Sequence, residues 1–436
     1  MQQLTHFLIA LTLLSSGLLH ASESTVPTLK EVKRQVDNLS TSELKQRLEK
    51  QPDTYLIDVR TSGEVQTVNE MIAAKNNLNI PRGWLELRIA AAIPDKNRSI
   101  VVYCGTGQRS PFAADTLKKM GYQNVKNYAE GFVDWQAAEL PVTLLNPAPD
   151  SLLFRRPQKV IDGVYSAIGA TAPGGYNNSG HNNNLSFIIS DDGVLVVNAG
   201  DNYLLAKSLH EEIKKLTDQP VKYVVLENGQ GHAMLGSNYW QEQGVPIIAH
   251  TDTLTEIKTY GEETLDQMRS RSRDKAFGTE LVMPDQHFGT KRVIQLGNET
   301  IELLNLGPAH SPGDTMVWLP KRSLIITGDM AFHQRLLPVF EHTDTGEWIK
   351  TWDKFAALKA KYVIPGHGMP TNMDEVTKYT RDYLFYMRSK ITEIIDNDGS
   401  LQDAYAIDQS AYSHLPTFDI LAKQNAGRIF RAMEFE

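Results

Sequence analysis

This sequence predicts an α/β protein built as two folded units with a helical tail, on three observations. Between residues 38 and 143, short apolar runs alternate with segments whose apolar residues recur every three or four positions, the pattern of a parallel sheet with covering helices. From Leu185 onward strands come both in hairpin-like pairs and singly, with helices between them, which suggests a layered sandwich with helices outside. Past residue 372 the apolar positions fall on helix faces alone.

The first unit spans residues 27–147. Ser40-Thr41-Ser42-Glu43 is a capping sequence for a helix that reaches Lys50. Tyr55-Leu56-Ile57 reads as a short buried strand ended by Asp58-Val59-Arg60, and Ile100-Val101-Val102-Tyr103 as a second strand. Ala113, Leu117 and Met120 keep helical spacing, Gly121 stops that helix, and residues 125–128 supply another strand. Gly131, Trp135 and residues 137–142 finish the unit. Two prolines in Asn146-Pro147-Ala148-Pro149-Asp150 cannot continue a ladder and mark a boundary.

The second unit spans residues 158–372. Residues 185–189 and 194–197 flank the hairpin signal Asp191-Asp192-Gly193, and residues 221–226 lead into Glu227-Asn228-Gly229-Gln230-Gly231-His232. Further strands are expected at 293–296, 301–304, 316–319, 324–327 and 362–364. In the tail, residues 373–436, one helix face is traced by Val376, Tyr379, Tyr383, Met387, Ile391 and Ile394, and another by Phe418, Leu421, Ala422, Ile429, Phe430 and Met433. Plain structural packing is the expected use of these stripes, with cover for a groove or a partner as the alternative.

With 44 Lys and Arg against 52 Asp and Glu in 436 residues, the formal charge is -8. There is no basic footprint for nucleic acid or an anionic membrane. Residues 7–19 are apolar but too few to span a bilayer, and Leu19-His20-Ala21 follows as a cleavage-like signal, so residues 1–21 read as a secretory signal. The mature chain is then expected in the periplasm or secreted, beginning near Ser22 and without a transmembrane domain. An uncleaved anchor stays open, because the first six residues hold no Lys or Arg. One cysteine cannot form an intramolecular disulfide.

That cysteine opens Cys104-Gly105-Thr106-Gly107-Gln108-Arg109-Ser110, directly after an apolar strand. A loop of small and hydroxyl residues with an arginine can turn its main-chain N–H groups toward one sulfur and hold it as an anion. Together with Leu56-Ile57-Asp58-Val59-Arg60 and Glu130-Gly131-Phe132-Val133-Asp134-Trp135, the loop resembles the rhodanese family. The resemblance implies that Cys104 carries a persulfide. It makes Gly105, Thr106, Gly107, Gln108 and Ser110 the cradle, with Arg109 adding positive potential. It further implies that Asp58 pairs with Arg109 to brace the loop, and that Arg60 shapes its mouth. No cofactor is required for such transfer. The partners implied are small sulfur compounds and a thiol or protein acceptor.

In the second unit, residues 306–314 with His310, Ile326-Thr327-Gly328-Asp329 and Pro365-Gly366-His367-Gly368 resemble the metallo-β-lactamase fold, especially its exported subgroup related to quinoprotein-relay and sulfur-oxidation proteins. The resemblance implies an αββα sandwich with His310, Asp329 and His367 at metal-ligand positions. A working member would carry His-x-His-x-Asp-His at residues 228–233. Here Asn228 and Gln230 stand at the first two histidines, His232 at the aspartate and Ala233 at the last histidine; a one-residue slip would put His232 on that last histidine instead. Amides bind zinc poorly beside imidazole, and alanine cannot bind it. The expected remainder is a mononuclear set of His232, His310, Asp329 and His367 for one zinc or another divalent ion. His181 sits among asparagines in what reads as an exposed polar loop, with lining of the same mouth as the alternative. His333 and His342 read as local hydrogen-bonding residues.

The expected function is therefore sulfur transfer through a Cys104 persulfide, with a degenerate second domain that binds a partner or substrate. Two alternatives remain at this level: a metal-dependent hydrolase or persulfide-processing enzyme using the second domain, and a non-catalytic accessory protein.

Overall fold

A computed structural model describes residues 27–144 and 150–436. The segment read as a secretory signal, and most of the proline-bearing boundary, lie outside these residues. The chain divides into an N-terminal unit that closes at Thr143, without Gln66–Glu70, and a C-terminal unit of Leu144–Glu436 that includes Gln66–Glu70.

The N-terminal unit is built on a five-stranded parallel sheet, in the order Asn38–Leu39, Asn124–Tyr128, Ser99–Tyr103, Tyr55–Asp58, Asn76–Asn79. Ser40 caps the helix Thr41–Lys50 in a reciprocal capping box with Glu43, as its sequence predicts. Along the central strand the side chains alternate faces. Ile100 and Val102 join the core formed with Ile57, Leu117 and Val125, while Val101 and Tyr103 join Leu44, Leu56, Phe132 and Trp135. Tyr103 pairs with Asp58, so the turns carrying Arg60 and Cys104 leave neighbouring strands at the same carboxyl edge. Open parallel sheets place their ligands at that edge.

The C-terminal unit is an αββα sandwich. Its first sheet runs Gln286–Phe288, Ile247–His250, Val221–Val225, Val194–Val197, Leu185–Ile189, Val164–Ala167, Gln158–Ile161. Its second runs Lys291–Leu296, Glu299–Leu304, Met316–Leu319, Leu324–Phe332, Tyr362–His367. Leu195, Val197, Val225 and Ile248 from the first sheet meet Ile301, Leu303, Val317 and Ile364 from the second in the inner core. Helices Tyr203–Leu216 and Thr251–Ser272 cover the first sheet's outer face through Leu209, Ile213, Ile257 and Leu265.

Two strands extend past their expected ends. Leu324–Phe332 and Tyr362–His367 pair in parallel with a register shift at Gly328, whose φ is +54°. That irregularity carries Asp329 and His367 into the site.

The tail packs in one core with Trp348, Trp352 and Phe355, and its Thr417, Ile420 and Leu421 also line a cavity of this unit. The first predicted face is broken into Met373–Tyr379 and Arg381–Asp396. Thr380 makes the break: its hydroxyl accepts from the Phe332 N–H at 2.9 Å and lies 3.2 Å from the Phe332 carbonyl. In the helix Phe418–Met433, Asn425 accepts from Val339 N–H at 2.9 Å and donates to Leu337 O at 2.8 Å. The tail thereby holds the segment that follows Asp329.

Candidate functional site

The sulfur loop connects strand Ser99–Tyr103 to helix Ser110–Lys119. Its carbonyls at Cys104 and Gly105 accept from the N–H groups of Phe132 and Val133, at 2.8 and 3.0 Å, so the loop is pinned by the first turn of the next helix. Two glycines with positive φ make that approach possible. At Gly107 a Cβ would overlap the Ala129 carbonyl oxygen, and at Gly131 it would sit 2.7 Å from the Gly105 oxygen.

Cys104 is fully buried, because the loop wraps over it. Its Sγ lies 3.6 Å from Ser110 Oγ. Burial pushes the thiol up, and the Ser110 hydroxyl with the main-chain N–H groups of Ser110, Arg109 and Thr106 outweighs it, so the thiol titrates below its ordinary value. Of the expected cradle, Thr106, Arg109 and Ser110 supply these donors. Gly105 and Gly107 serve through backbone geometry, and Gln108 is exposed.

The expected bracing is different. Asp58 pairs with Arg60, Nη2 to Oδ2 at 2.6 Å and Nε to Oδ1 at 3.0 Å, and both side chains are buried. The Arg60 guanidinium lies 4.1 Å over the Phe132 ring, so Arg60 props the site from inside and does not shape its mouth. Arg109 instead pairs with Glu64, which sequence reasoning passed over although Thr61-x-x-Glu64 is a helix-capping signature. Asp58 finds its partner two residues away at the strand end, whereas Arg109 points outward, 38% exposed.

In the C-terminal unit, His232, Asp329 and His367 bring ligand atoms within 4.8 Å of one another. His367 Nε2 is 3.2 Å from Asp329 Oδ1, and His232 Nε2 is 3.5 Å from Asp329 Oδ2 and 3.0 Å from Glu227 Oε1. His310 does not join them. Its Nδ1, 3.6 Å from Asp329, accepts from the Gln230 amide at 2.8 Å, so the nitrogen facing the site is already engaged. The Asn228 amide lies 3.3 Å from Asp314 Oδ1 and 3.4 Å from Asp329 Oδ2. Asn228, Gln230 and His232 thus all face the site, and two of the three present amide donors there.

The asparagine loop is buried scaffold rather than an exposed polar loop. The His181 ring accepts the Phe154 N–H at Nδ1, 2.7 Å, and donates to the Ala167 carbonyl from Nε2, 3.1 Å. Burial pushes its pKa down to about 4. Asn184 bonds the carbonyls of Pro365 and Gly368 at 2.8 and 2.7 Å, fixing the turn that carries His367. His333 is held by the Met369 carbonyl at 2.7 Å, and exposed His342 lines the cavity.

That cavity, about 520 Å³, opens onto His232, Asp329 and His367, with Arg335, Tyr260 and Leu421 among its walls. Glu227 and Arg335 carry no spacing signal in the sequence. His367 Nδ1 lies 2.6 Å from the Asn182 carbonyl, which can only accept, so Nδ1 carries its proton toward Asn182. The Arg335 Nη1 found 3.1 Å from the same nitrogen therefore faces a donor, and Arg335 Nε has no hydrogen-bond partner among the described residues. Burial pushes the guanidinium down to about 10.

A model of the rhodanese-like domain matches residues 40–138, and one of the metallo-β-lactamase superfamily matches residues 231–367. The chain is 34% identical over 107 residues to a sulfurtransferase of Allochromatium vinosum, covering 24% of this chain and 94% of the relative. The N-terminal domain belongs to the rhodanese-like family, the C-terminal domain to the metallo-β-lactamase superfamily. The rhodanese-like domain is also 39% identical over 73 residues to thiosulfate sulfurtransferase PspE of Escherichia coli, covering 17% of this chain and 66% of that one. Through its metallo-β-lactamase domain the chain is 21% identical over 243 residues to a linear primary-alkylsulfatase of a Pseudomonas species, covering 47% of this chain and 45% of that one. The sec-alkylsulfatase PisA1 shares the fold, with a TM-score of 0.52 at 14% identity over 64% of this chain and 50% of that one. The chain spans about half the length of both alkylsulfatases.

The superfamily implies metal ions, and the donors present fit one ion but not two. Asn228, Gln230 and Ala233 lack the imidazoles for a pair. With Nδ1 protonated, His367 Nε2 turns a lone pair on Asp329 Oδ1, 3.2 Å away, which has no hydrogen-bond partner among the described residues. Two facing acceptors call for a cation between them.

Proposed function

We propose that this chain is a sulfur-transfer protein acting outside the cytoplasm, with Cys104 as the sulfur carrier. The observation that supports it is the convergence of three main-chain N–H groups and the Ser110 hydroxyl on one sulfur, enough to outweigh the cost of burying a thiolate. The Cys104 thiolate attacks the outer sulfur of a small donor. The donor's S–S bond breaks and the leaving group, sulfite from thiosulfate or a sulfinate from a thiosulfonate, departs with the electron pair. The terminal sulfur of the new persulfide is anionic and takes up the same donors. An acceptor thiolate then attacks that sulfur and releases Cys104 as thiolate. Location outside the cytoplasm is supported by the apolar residues 7–19 and the Leu19-His20-Ala21 signal.

The test is mass spectrometry of the intact protein after thiosulfate or thiosulfonate. Wild type is expected to gain the mass of one sulfur, removable by thiol, and Cys104→Ser to gain none. Sulfur uptake by Cys104→Ser would reject the assignment.

For the C-terminal domain, the observation that favours a binding role is Arg335, a buried guanidinium whose Nε has no hydrogen-bond partner among the described residues and which Asp329 offsets only at longer range. Such a group favours an anionic ligand in the cavity. His232, Asp329 and His367 would hold one zinc or another divalent ion, which when bound supplies Lewis acidity. A hydrolase or persulfide-processing reading rests on that single ion, and an accessory role on the losses at 228, 230 and 233.

A further inference from the structure

The pairing of Arg109 has a consequence for the choice of sulfur donor. Glu64 takes both terminal nitrogens of the guanidinium, Nη1 to Oε2 at 2.6 Å and Nη2 to Oε1 at 2.5 Å. Glu64 therefore takes the end-on face of the fork, one of the two faces that could grip an oxyanion in two-toothed fashion, and its charge offsets that of the guanidinium beside Cys104. Glu64 is itself held: its Oε2 accepts from the Thr61 N–H and hydroxyl, both at 2.9 Å. Arg109 keeps the Glu64 carboxyl at about 2, so the carboxylate is ionised wherever Cys104 is a thiolate. The other charged pair beside the loop, Asp58 with Arg60, is closed on itself and buried. Glu64 thus cancels the charge of Arg109 beside Cys104, and the thiolate adds a negative charge there.

We infer that Glu64 is a specificity-determining residue of the sulfur site, which by occupying Arg109 selects against doubly charged donors such as thiosulfate in favour of sulfane donors of lower negative charge. The inference rests on sulfur transfer at Cys104. Glu64 touches no reacting atom and acts through Arg109 and through its own charge. Because Coulomb energy is proportional to the donor's charge, removing one negative charge acts twice as strongly, in logarithm, on a dianion as on a monoanion.

Glu64→Gln keeps an acceptor for the Thr61 cap and removes the charge. At low ionic strength its kcat/KM is expected to rise about threefold with benzenethiosulfonate, a monoanion, and about tenfold with thiosulfate, a dianion, both gains shrinking in salt. Alkylation of Cys104 gives a readout independent of sulfur transfer: the rate with anionic iodoacetate relative to neutral iodoacetamide is expected to rise about threefold. Glu64→Asp, which retains the charge, is expected to stay near wild type in both ratios. Equal changes with both donors, or an unchanged alkylation ratio, would overturn the role of Glu64. Failure of the wild type to take sulfur from either donor would reject the transfer reading, with the alkylation ratio still deciding whether Glu64 screens anions.

Discussion

At the sulfur loop, three main-chain N–H groups and a hydroxyl meet one sulfur, and Glu64 completes Arg109. At the C-terminal cavity, Arg335 Nε and Asp329 Oδ1 are buried without a hydrogen-bond partner among the described residues. A buried polar atom left unpaired costs about 1–3 kcal/mol. The first site is electrically finished before its substrate arrives, because the transferred sulfur is joined covalently and only has to replace the thiolate among the same donors. The second has the outline of a site whose binding partner completes it. The same fold-level feature, a chain turn at the carboxyl edge of a sheet, serves both, so the difference lies in which atoms the turns present.

The sharpest way to break this contrast is to spoil the finished site without touching its nucleophile. Gly107→Ala would force a side chain into the Ala129 carbonyl at a positive φ, displacing the donors. Sulfur transfer is expected to fall about 100-fold, as when an anion-stabilising donor is removed, with Cys104 still present by thiol titration. Near-normal transfer would show that the cradle contributes little.

The unfinished site is sharpened by counting metal in dialysed protein. At most one ion per chain is expected, with affinity falling at least tenfold in His232→Ala and His367→Ala, since a lost ligand must be replaced by water. His310→Ala is expected to leave occupancy unchanged, because Gln230 already engages its site-facing nitrogen. Two ions per chain, or loss of metal in His310→Ala, would reverse the reading of that residue.

A smaller effect is expected at Arg335. Arg335→Met keeps most of the side-chain volume and removes a buried charge whose burial cost outweighs its attraction to Asp329. The ligand-free protein is expected to resist urea better by about 1 kcal/mol, while an anion that stabilises the wild type should no longer do so. Loss of stability in the variant would mean that the guanidinium is held by its neighbours after all.

The smallest is a pH shift. A thiol lowered by its neighbours stays ionised to lower pH, so the Cys104 alkylation rate should fall on acidification with an apparent pKa below the ordinary value of about 8.5. Ser110→Ala removes one donor and should move that midpoint upward. A midpoint at the ordinary value in wild type would mean that burial wins over the donors.

Sequence alone determined what is local. The alternation of Ile100 and Val102 against Val101 and Tyr103, the Ser40 capping box, the glycine positions of the sulfur loop and the loss of imidazoles at 228, 230 and 233 follow from neighbours along the chain, whose spacing dictates backbone geometry and available chemistry. Tertiary structure decided the partners. Asp58 chose Arg60 over Arg109, Arg109 chose Glu64, Gln230 engaged His310, Thr380 divided a predicted helix face to satisfy Phe332, and Arg335 arrived beside His367. These pairings depend on where packed strands and helices set side chains distant in sequence. They also depend on burial, which makes each unpaired charge or lone pair costly enough to matter.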